Sequence, residues 1–389
     1  MSTATWNHST PAAKLVTPWR VVGSLILIAG LAATYLRAFY GLGASTNLTD
    51  QFPWGLWVGF DVLCGVMLAA GGFTITTVVH IFNIERFKPI IRPTVLTAFL
   101  GYSLVVVALF FDLGRGWKIW HAIIMWNPRS VMFEVAWCVM LYTTVLSLEF
   151  APVVFEKLHM TQAAKWLRSI GVPLVLAGAI LSTLHQSSLG TLYLIMPSKL
   201  YPLWYTPLLP IFFFVSAIGI GLAMTIVESS LSARYFKKQL ELPLMQELGR
   251  ILAVVLLFYA VLRFQDLLTR GVLHRLLEAR VETWFFLLEI GAGVLLPMAM
   301  LFNARVRRSA GLLLAAASMV ILGFMTNRLN VSIIGMWESS GFRYVPKWSE
   351  IAVSAMIVTV GVIIFALAAK TLPIFSSNGK EHAAQHQTQ

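Results

Sequence analysis

Long apolar runs, separated by short polar connections, recur along the whole chain. The ten runs cover residues 19–41, 55–82, 93–114, 129–150, 170–192, 205–231, 250–269, 283–303, 309–330 and 350–372. A run of about 18 residues or more is long enough to cross the roughly 30 Å hydrocarbon core of a bilayer as a helix. Because that core offers no water to backbone groups, each run must be helical. The pattern therefore predicts an all-α polytopic membrane protein with ten transmembrane helices and no soluble domain.

Polar segments bound the predicted membrane domain at both ends. We expect an N-terminal tail over residues 1–18, the ten-helix domain over residues 19–373 and a polar C-terminal tail over residues 374–389. The first apolar run is longer than the core of a signal peptide and lacks a small-residue cleavage site. We therefore expect the first helix to be an uncleaved anchor.

The basic residues predict the orientation of the helices. Alternate connections and tails carry 17 Lys and Arg on one side of the membrane and 9 on the other. Cytoplasmic loops carry the excess of positive charge, so both termini are predicted to be cytoplasmic. The expected location is the inner membrane of a bacterium. Composition agrees, since 58% of residues are hydrophobic and 12% are charged. The net charge of +12 is explained by this asymmetry and by contact with anionic lipid. It gives no reason to expect nucleic acid.

Ionisable side chains inside or at the ends of apolar runs are the candidates for chemistry. Such groups are costly in hydrocarbon and mark functional sites or paired charges. Nine are predicted in the outer half of the membrane and two at the inner ends of their helices. So many ionisable groups indicate a site that transfers charge, and we interpret that charge as protons. They are Asp61, Asp112, Arg115, Glu134, His185, Arg263, Asp266, Glu289 and Arg328 outside, and Glu149 and Glu228 inside.

Ion pairing is the alternative for four of these residues. Asp112 and Arg115 are three positions apart, as are Arg263 and Asp266. Residues with this spacing share one helix face, so each pair could tie helices together without further function.

Lipid contact is the alternative for other charged residues. Arg37 and Arg328 could extend to the outer headgroups. Glu149 and Glu228 could lie in the inner interface beside Lys and Arg. His185 has no opposite charge one turn away, which favours a functional role.

A proton route is predicted along the fourth helix. Glu134, like His185, has no opposite charge one turn away. Glu134 and Glu149 are fifteen positions apart, which corresponds to about 22 Å. They face roughly the same direction, with one carboxyl near each leaflet. Tyr102, in the middle of the third helix, could add a hydroxyl, although a buried Tyr is often simply hydrogen-bonded.

The sequence predicts no haem, no iron–sulfur cluster and no metal site in this chain. A membrane haem of the b type needs two His at matching depth, whereas His80 and His185 lie near opposite faces. Cys64 and Cys138 have no metal-ligand spacing. Any redox centre is therefore expected in a partner, and the chain is expected to bind a membrane-soluble carrier such as a quinone.

A quinone pocket needs a proton donor and aromatic walls. His185 with Gln186, Glu134 and Asp112 could provide the polar end. The aromatic candidates are Trp54, Trp57, Phe60, Phe110 and Phe111. Trp near an interface is also a common membrane anchor.

Several short segments resemble one known family. They are Phe52–Asp61 (FPWGLWVGFD), Arg92–Pro93, Gly101–Ser103, Asp112–Arg115, Ser130–Glu134 (SVMFE), Leu148–Pro152 (LEFAP), His185–Gly190 (HQSSLG), Pro202–Trp204, Glu228, Leu262–Phe264 and Arg328–Leu329. The chain resembles the membrane subunits of the polysulfide reductase (NrfD-like) family over nearly its whole length. It is most similar to the ten-helix branch found in hydrogenase-2-type nickel–iron hydrogenases.

The resemblance implies a function and partners. Members carry no prosthetic group and bind menaquinone or ubiquinone near the periplasmic face, beside a four-cluster ferredoxin-like iron–sulfur subunit. Catalytic subunits complete the complex, and the branch implies the large and small subunits of a nickel–iron hydrogenase. Complexes with multihaem cytochromes, sulfur-metabolising enzymes or quinone reductases stay open. The family positions for quinone chemistry and proton transfer match Tyr102, Glu134, Glu149, His185 and Glu228.

The leading hypothesis is a quinone-reactive subunit of a respiratory oxidoreductase. The predicted quinone site comprises His185, Gln186, Glu134, Asp112, Arg115, Asp61 and Trp54, and the predicted proton pathway comprises Tyr102, Glu149 and Glu228. A secondary transporter would show inverted repeats and broken helices, and no convincing repeat is found. A passive anchor would not need the buried carboxylates.

Overall fold

The computed structural model describes residues 18–80, 84–235 and 241–374. Within these ranges ten helices are long and apolar enough to cross a membrane. They are α1 (Pro18–Tyr40), α2 (Trp57–Thr77), α3 (Ile91–Asp112), α4 (Val131–Lys157), α5 (Gly171–Leu194), α6 (Leu209–Tyr235), α7 (Leu242–Thr269), α8 (Val281–Phe302), α9 (Ala310–Ser332) and α10 (Trp348–Thr371). The predicted number and type of elements are confirmed. The two predicted tails lie outside the described residues, apart from Pro18 and Ile374.

Two helix ends lie well away from their predicted positions. α4 continues to Lys157 rather than residue 150, and α7 begins at Leu242 rather than residue 250. Both extensions contain charged or polar side chains, so they do not register as apolar sequence. They form helix because their backbone continues to bond internally and Pro243 occupies the first turn of α7.

The helices form two antiparallel four-helix bundles. α2, α3, α4 and α5 pack in a ring, and α6, α7, α8 and α9 pack in a second ring. The two rings meet through α2, α5, α6 and α9, while α1 and α10 pair with each other and pack on α3. Alternate up-and-down helices with short connections are the usual arrangement of such bundles. α2 and α6 are therefore the most enclosed helices.

The two membrane faces differ in their connections. The long-loop face carries the connections 41–56, 113–130, 195–208, 270–280 and 333–347. The termini face carries the start of α1 and the end of α10. This follows because Ser349 Oγ, at the start of α10, donates to Ser45 O at 2.5 Å, just beyond the end of α1. Which face is cytoplasmic stays a prediction.

Two membrane helices contain π-helical segments. α2 is π-helical over Trp57–Cys64 and is interrupted by a turn at Ala69 and Ala70. α8 is π-helical over Gly291–Leu295, where Gly293 meets Gly323 of α9 with no space for a side chain on either. Small residues let membrane helices approach closely. π-helical segments often mark functional positions, and Asp61 lies in the first of them.

Candidate functional site

A cluster of aromatic and polar side chains fills the centre of the first bundle. His185 of α5 is fully buried, and its ring lies perpendicular to that of Tyr102 of α3 at 5.5 Å between centroids. Tyr102 in turn contacts Tyr142 of α4 edge-on at 4.6 Å. Gln186 donates from Nε2 to the backbone oxygen of Val66 in α2 at 3.2 Å. The predicted residues His185, Gln186 and Tyr102 are thus brought together.

The polar atoms of this cluster lack partners among the described residues. They are the hydroxyls of Tyr102, Tyr142 and Ser182, both ring nitrogens of His185, and Oε1 of Gln186. Buried polar groups are almost always hydrogen-bonded, and Ser182 lies beside both Tyr102 and Tyr142 without a hydrogen bond of normal length. Water is the usual partner at a buried polar site. A row of hydrated hydroxyl and imidazole groups can pass protons.

Glu149 continues this row toward the termini face. Tyr142 and Glu149 are seven positions apart and face α5 at Gly178. A Cβ at Gly178 would lie 3.4 Å from Glu149 Oε1 and 3.6 Å from the Tyr142 ring. Ser182 is one turn along α5 from Gly178. The order Glu149, Tyr142, Ser182, then Tyr102 and His185, is called the hydroxyl row below.

Sequence reasoning missed two members of the hydroxyl row. Tyr142 lies seven positions before Glu149, and Ser182 lies three before His185. Both spacings place the side chains on the same helix face as the titratable residue. That spacing was the available signal for a shared face.

Glu134 lies apart from this cluster. It occupies the first turn of α4, because the helix begins at Val131, and its side chain is exposed. From the sequence, Glu134 was expected beside His185 in a shared polar pocket. The structure places it instead at the surface near the long-loop face.

A second polar group lies between α2 and α10. Ser354 Oγ donates to Asp61 Oδ2 at 2.6 Å, and both residues are buried. Trp57 Nε1 donates to the backbone oxygen of Glu350 at 3.2 Å. Tyr344 donates its hydroxyl to the Glu350 carboxylate. Burial and this carboxylate raise the pKa of Tyr344 well above its usual value, so the hydroxyl stays a donor.

The end of α3 contradicts two sequence expectations. Because α3 ends at Asp112, Arg115 is not on its helix face; Arg115 is exposed and forms no ion pair with Asp112. Arg37 of α1 lies instead at this end of α3. Arg37 does not extend to the headgroups: its Nε and Nη2 donate to the carbonyls of Phe111 and Leu113 at 2.8 and 2.7 Å. These carbonyls have no partner within the helix at its end.

A large apolar cavity separates α6 from α10, bounded by α2 and α3. Its volume is about 1210 Å³, and it has one carboxyl toward each end, Asp61 and Glu228. Thr97 Oγ1 donates to Glu228 Oε2 at 2.8 Å, and Oε1 has no partner among the described residues. Trp19, which is 84% exposed, and Tyr235 also line the cavity. The cavity therefore opens to the protein surface near the termini face.

The predicted aromatic walls are only partly found at this cavity. Phe60 lines it, whereas Trp54 contacts Tyr193 of α5 edge-on at 5.3 Å. Trp57 contacts Phe111 at 6.2 Å between centroids. His185 and Gln186 do not line the cavity, because α2 and α3 stand between it and the hydroxyl row.

A third polar network lies inside the second bundle. Glu289 of α8 accepts hydrogen bonds from Trp204 Nε1, Asn327 Nδ2 and Asn330 Nδ2 at 2.9, 2.7 and 2.8 Å. Arg328 donates to Asn327 Oδ1 at 2.7 Å. Arg328 is 1% exposed, so the expectation that it reaches the outer headgroups is wrong. The sequence reasoning did not single out the asparagines, although Asn327 and Asn330 are spaced three apart in an apolar run.

The alternative in which Arg263 pairs with Asp266 is not what the structure shows. Asp266 accepts from Arg270 Nη2 at 2.7 Å and from Thr206 Oγ1 at 2.6 Å. Arg263 donates to the backbone oxygen of Leu203 at 2.9 Å and lies over the Phe212 ring. Arg270 is four positions from Asp266 and lies at the membrane surface, where its guanidinium is easily accommodated.

Comparison with known proteins gives a consistent picture. The family described as Polysulphide reductase, NrfD, matches residues 44–337. A protein of Nitratidesulfovibrio vulgaris is 37% identical over 379 residues, covering 95% of this chain and 97% of the relative. The Probable Ni/Fe-hydrogenase 2 b-type cytochrome subunit of Escherichia coli is 32% identical over 362 residues, covering 92% of each chain. The Menaquinone reductase, integral membrane subunit, of Nitratidesulfovibrio vulgaris is 29% identical, covering 89% of this chain and 88% of the relative.

The name of the Escherichia coli relative mentions a b-type cytochrome, and a b-type haem in a membrane bundle would need two histidine ligands at matching depth. Among the histidines whose side chains the structure describes, His185 lies within a membrane helix, whereas His121, His159 and His274 lie in connections between helices. The side chain of His80 is outside the described part of the chain. The described histidines therefore do not supply two ligands at matching depth. Nor do the described residues contain a group of three metal-ligating side chains.

The family match covers most of the chain. The relatives that the chain matches over most of their length include membrane subunits of oxidoreductases. Ten apolar helices agree with a multi-pass membrane protein. The chain belongs to the polysulphide reductase NrfD family of integral membrane subunits.

Proposed function

We propose that this chain is the quinone-reactive membrane subunit of a respiratory oxidoreductase in the bacterial inner membrane, with both termini cytoplasmic. Electrons pass between a four-cluster iron–sulfur subunit on the long-loop face and menaquinone or ubiquinone. The hydrogenase-2 relative favours the large and small subunits of a nickel–iron hydrogenase as catalytic partners. The menaquinone reductase relative supports the same role in a different complex.

The cavity is the observation that carries this proposal. Its volume of about 1210 Å³ can hold a quinone ring and part of an isoprenoid chain. Its walls are apolar, and Asp61 lies in the half nearer the long-loop face. We place the ring at Asp61 and the chain toward Trp19, where the cavity meets lipid. Ligand sites typically combine apolar walls with a few oriented polar groups in this way.

Asp61 is the proposed proton-exchanging group at the ring. Reduction of a quinone to a quinol adds two electrons and two protons, so a donor must lie beside its oxygens. Ser354 donates to Oδ2 of Asp61, and we assign Oδ1 to the quinone oxygen. Asp112, at the end of α3, and Glu350, in the first turn of α10, are further carboxyls on the same side of the membrane domain.

Proton supply is assigned to two routes from the termini face. Glu228 shares the cavity with Asp61 and forms the first. The hydroxyl row forms the second, from Glu149 through Tyr142 and Ser182 to Tyr102 and His185; it ends at α3, whose residues Gly101 and Val105 line the cavity, so its protons would reach the ring across that helix. Trp54, Arg115 and Glu134, predicted with the quinone site, lie outside the cavity and have no direct contact with the ring in this proposal.

Replacing Asp61 by Asn in the purified complex tests the proposal. We expect quinone reduction to fall by roughly 100-fold, because a positioned acid contributes about that much. Electron transfer from the catalytic subunits to a soluble dye should be unchanged. Asp50→Asn, an exposed carboxylate on the same face, is the matched control. Unchanged quinone reduction in Asp61→Asn would remove Asp61 from the site and favour a passive anchor.

A secondary transporter is the second candidate, and one observation favours it. α2 is interrupted at Ala69 and Ala70 beside the cavity, and broken helices near the midplane are typical of transporters. Co-purification distinguishes the two candidates. An iron–sulfur subunit bound to the long-loop face supports the oxidoreductase, whereas an isolated chain that exchanges solutes across vesicles supports transport.

A further inference from the structure

A basic pocket lies on the termini face and shares no lining residue with the cavity or with the hydroxyl row. It has a volume of about 240 Å³ and lies between the start of α7 and the connection from α8 to α9. Its lining residues are Pro243, Gln246, Glu247, Arg250, Ala304, Arg307 and Arg308. Neither the quinone site nor the proton routes use it.

Local structure fixes the arginines of this pocket. Asn303 Oδ1 accepts a hydrogen bond from the backbone N–H of Arg305 at 2.9 Å and so starts the short helix Ala304–Arg308. Arg307 donates to the backbone oxygen of Leu301. Cδ of Arg307 lies 3.6 Å from where a Cβ of Gly249 would be, so the arginine side chain packs directly against α7.

The electrostatics of the pocket favour an anion. Three arginines line it against one glutamate, Glu247. The pocket also lies at the N-terminal end of α7, a helix of 28 residues whose first turns carry a partial positive charge. Arg305, on the same short helix, does not line the pocket.

The adjoining surface is apolar and faces lipid. Val254 and Phe258 follow Arg250 at intervals of four residues on α7, so they continue the same helix face into the membrane. Val254 is 55% exposed and Phe258 is 53% exposed. Phe302, at the end of α8, is 49% exposed. An anion site directly above an apolar, lipid-facing stripe matches the two parts of a phospholipid.

We propose that this pocket binds the phosphate headgroup of an anionic phospholipid in the leaflet at the termini face. Arg250 and Arg308 contact the phosphate, Arg307 is held in place by Leu301, and the acyl chains lie along Val254 and Phe258. Basic pockets between membrane helices are known to recognise such headgroups. This site is independent of the proposed quinone chemistry.

Lipid titration of the full-length chain in detergent tests the site. The melting temperature is followed as phosphatidylglycerol, phosphatidylcholine or inorganic phosphate is added. The double variant Arg250→Gln, Arg308→Gln is compared with Arg305→Gln, which removes a neighbouring charge outside the pocket. Each basic residue near an anionic surface contributes about fivefold in affinity. We therefore expect half-maximal stabilisation to need roughly tenfold to thirtyfold more phosphatidylglycerol in the double variant, and a smaller change in Arg305→Gln.

Three outcomes would overturn the assignment. These are equal responses of the double variant and Arg305→Gln, equal stabilisation by phosphatidylcholine, or reproduction of the effect by inorganic phosphate, which would indicate a free-phosphate site. If the double variant does not fold, native mass spectrometry of the single variants replaces the titration. Arg250→Lys should then retain bound phosphatidylglycerol and Arg250→Gln should lose it; retention by both also rejects the site.

Discussion

Ser354 of α10 donates a 2.6 Å hydrogen bond to Asp61 of α2, although the two residues are 293 positions apart in the chain. The bond fixes one oxygen of a buried carboxyl that lines the apolar cavity. It also connects the α1–α10 pair to the first bundle. The orientation of Asp61 therefore depends on a helix outside that bundle.

Removing this bond should impair quinone chemistry more than folding. For Ser354→Ala we expect quinone reduction by the complex to fall roughly tenfold, because a hydrogen bond to a charged group contributes about 1.5 kcal/mol or more. Dye-linked activity should not change. The control is Thr359→Ala on the same helix, since the Thr359 hydroxyl donates only to the backbone oxygen of Ala355, one turn earlier in α10. Equal losses in both variants would contradict a specific role for Ser354.

Arg270→Ala should destabilise the second bundle. Asp266 is 3% exposed, and Arg270 supplies two of its hydrogen bonds while also bonding to the carbonyls of Pro202 and Tyr205. Removing the partner of a buried charge costs about 3 kcal/mol. We expect a clear fall in melting temperature in detergent. Arg343→Ala, at an exposed position on the same face, should have little effect, and similar melting temperatures for both variants would show that Asp266 does not need Arg270.

The sequence predicts the membrane helices well because their signal is local. An apolar run long enough to cross the bilayer can hardly be anything but a helix, so ten runs predicted ten helices. The first turns of α7 were not predicted from the sequence because they contain the polar residues Gln246 and Glu247 and so do not form an apolar run. There the helix depends on its backbone and not on apolar composition.

The candidate site is less predictable because its partners come from distant parts of the chain. Burial of Asp61 and His185 could be inferred from each residue's own helix. Which group each one meets depends on how helices pack. Spacing of three residues suggested that Arg263 binds Asp266, but Arg270 is the partner. The same reasoning missed Ser354, which nothing near Asp61 in sequence reveals.

Close packing of α8 against α9 should be sensitive to a single methyl group. Gly293 and Gly323 face each other with no space for a Cβ, whereas a Cβ at Gly291 would meet nothing within 4 Å. Adding atoms to a filled interface typically costs about 1–3 kcal/mol. Gly293→Ala should therefore lower the melting temperature and Gly291→Ala should not. If both alanine variants melt alike, the interface is looser than described.

Tyr142→Phe should separate proton transfer from stability. The Tyr142 hydroxyl is buried, and no hydrogen bond of normal length joins it to another described residue, so its loss removes at most a weak interaction with Ser182. We expect the free energy of unfolding to change by less than about 1 kcal/mol. If the hydroxyl row supplies most of the protons, quinone reduction should slow roughly tenfold, since Phe cannot exchange a proton. Proton uptake by the complex in vesicles, measured with a pH-sensitive dye, should slow equally.

Tyr259→Phe is the matched control for this prediction. Tyr259 is equally buried but lies in α7 of the second bundle, away from the hydroxyl row. It should leave both quinone reduction and proton uptake unchanged. Normal rates in Tyr142→Phe would exclude the row as a required route and leave Glu228, in the cavity with Asp61, as the remaining one. In that case Glu228→Gln alone should stop proton uptake, whereas Glu149→Gln should not.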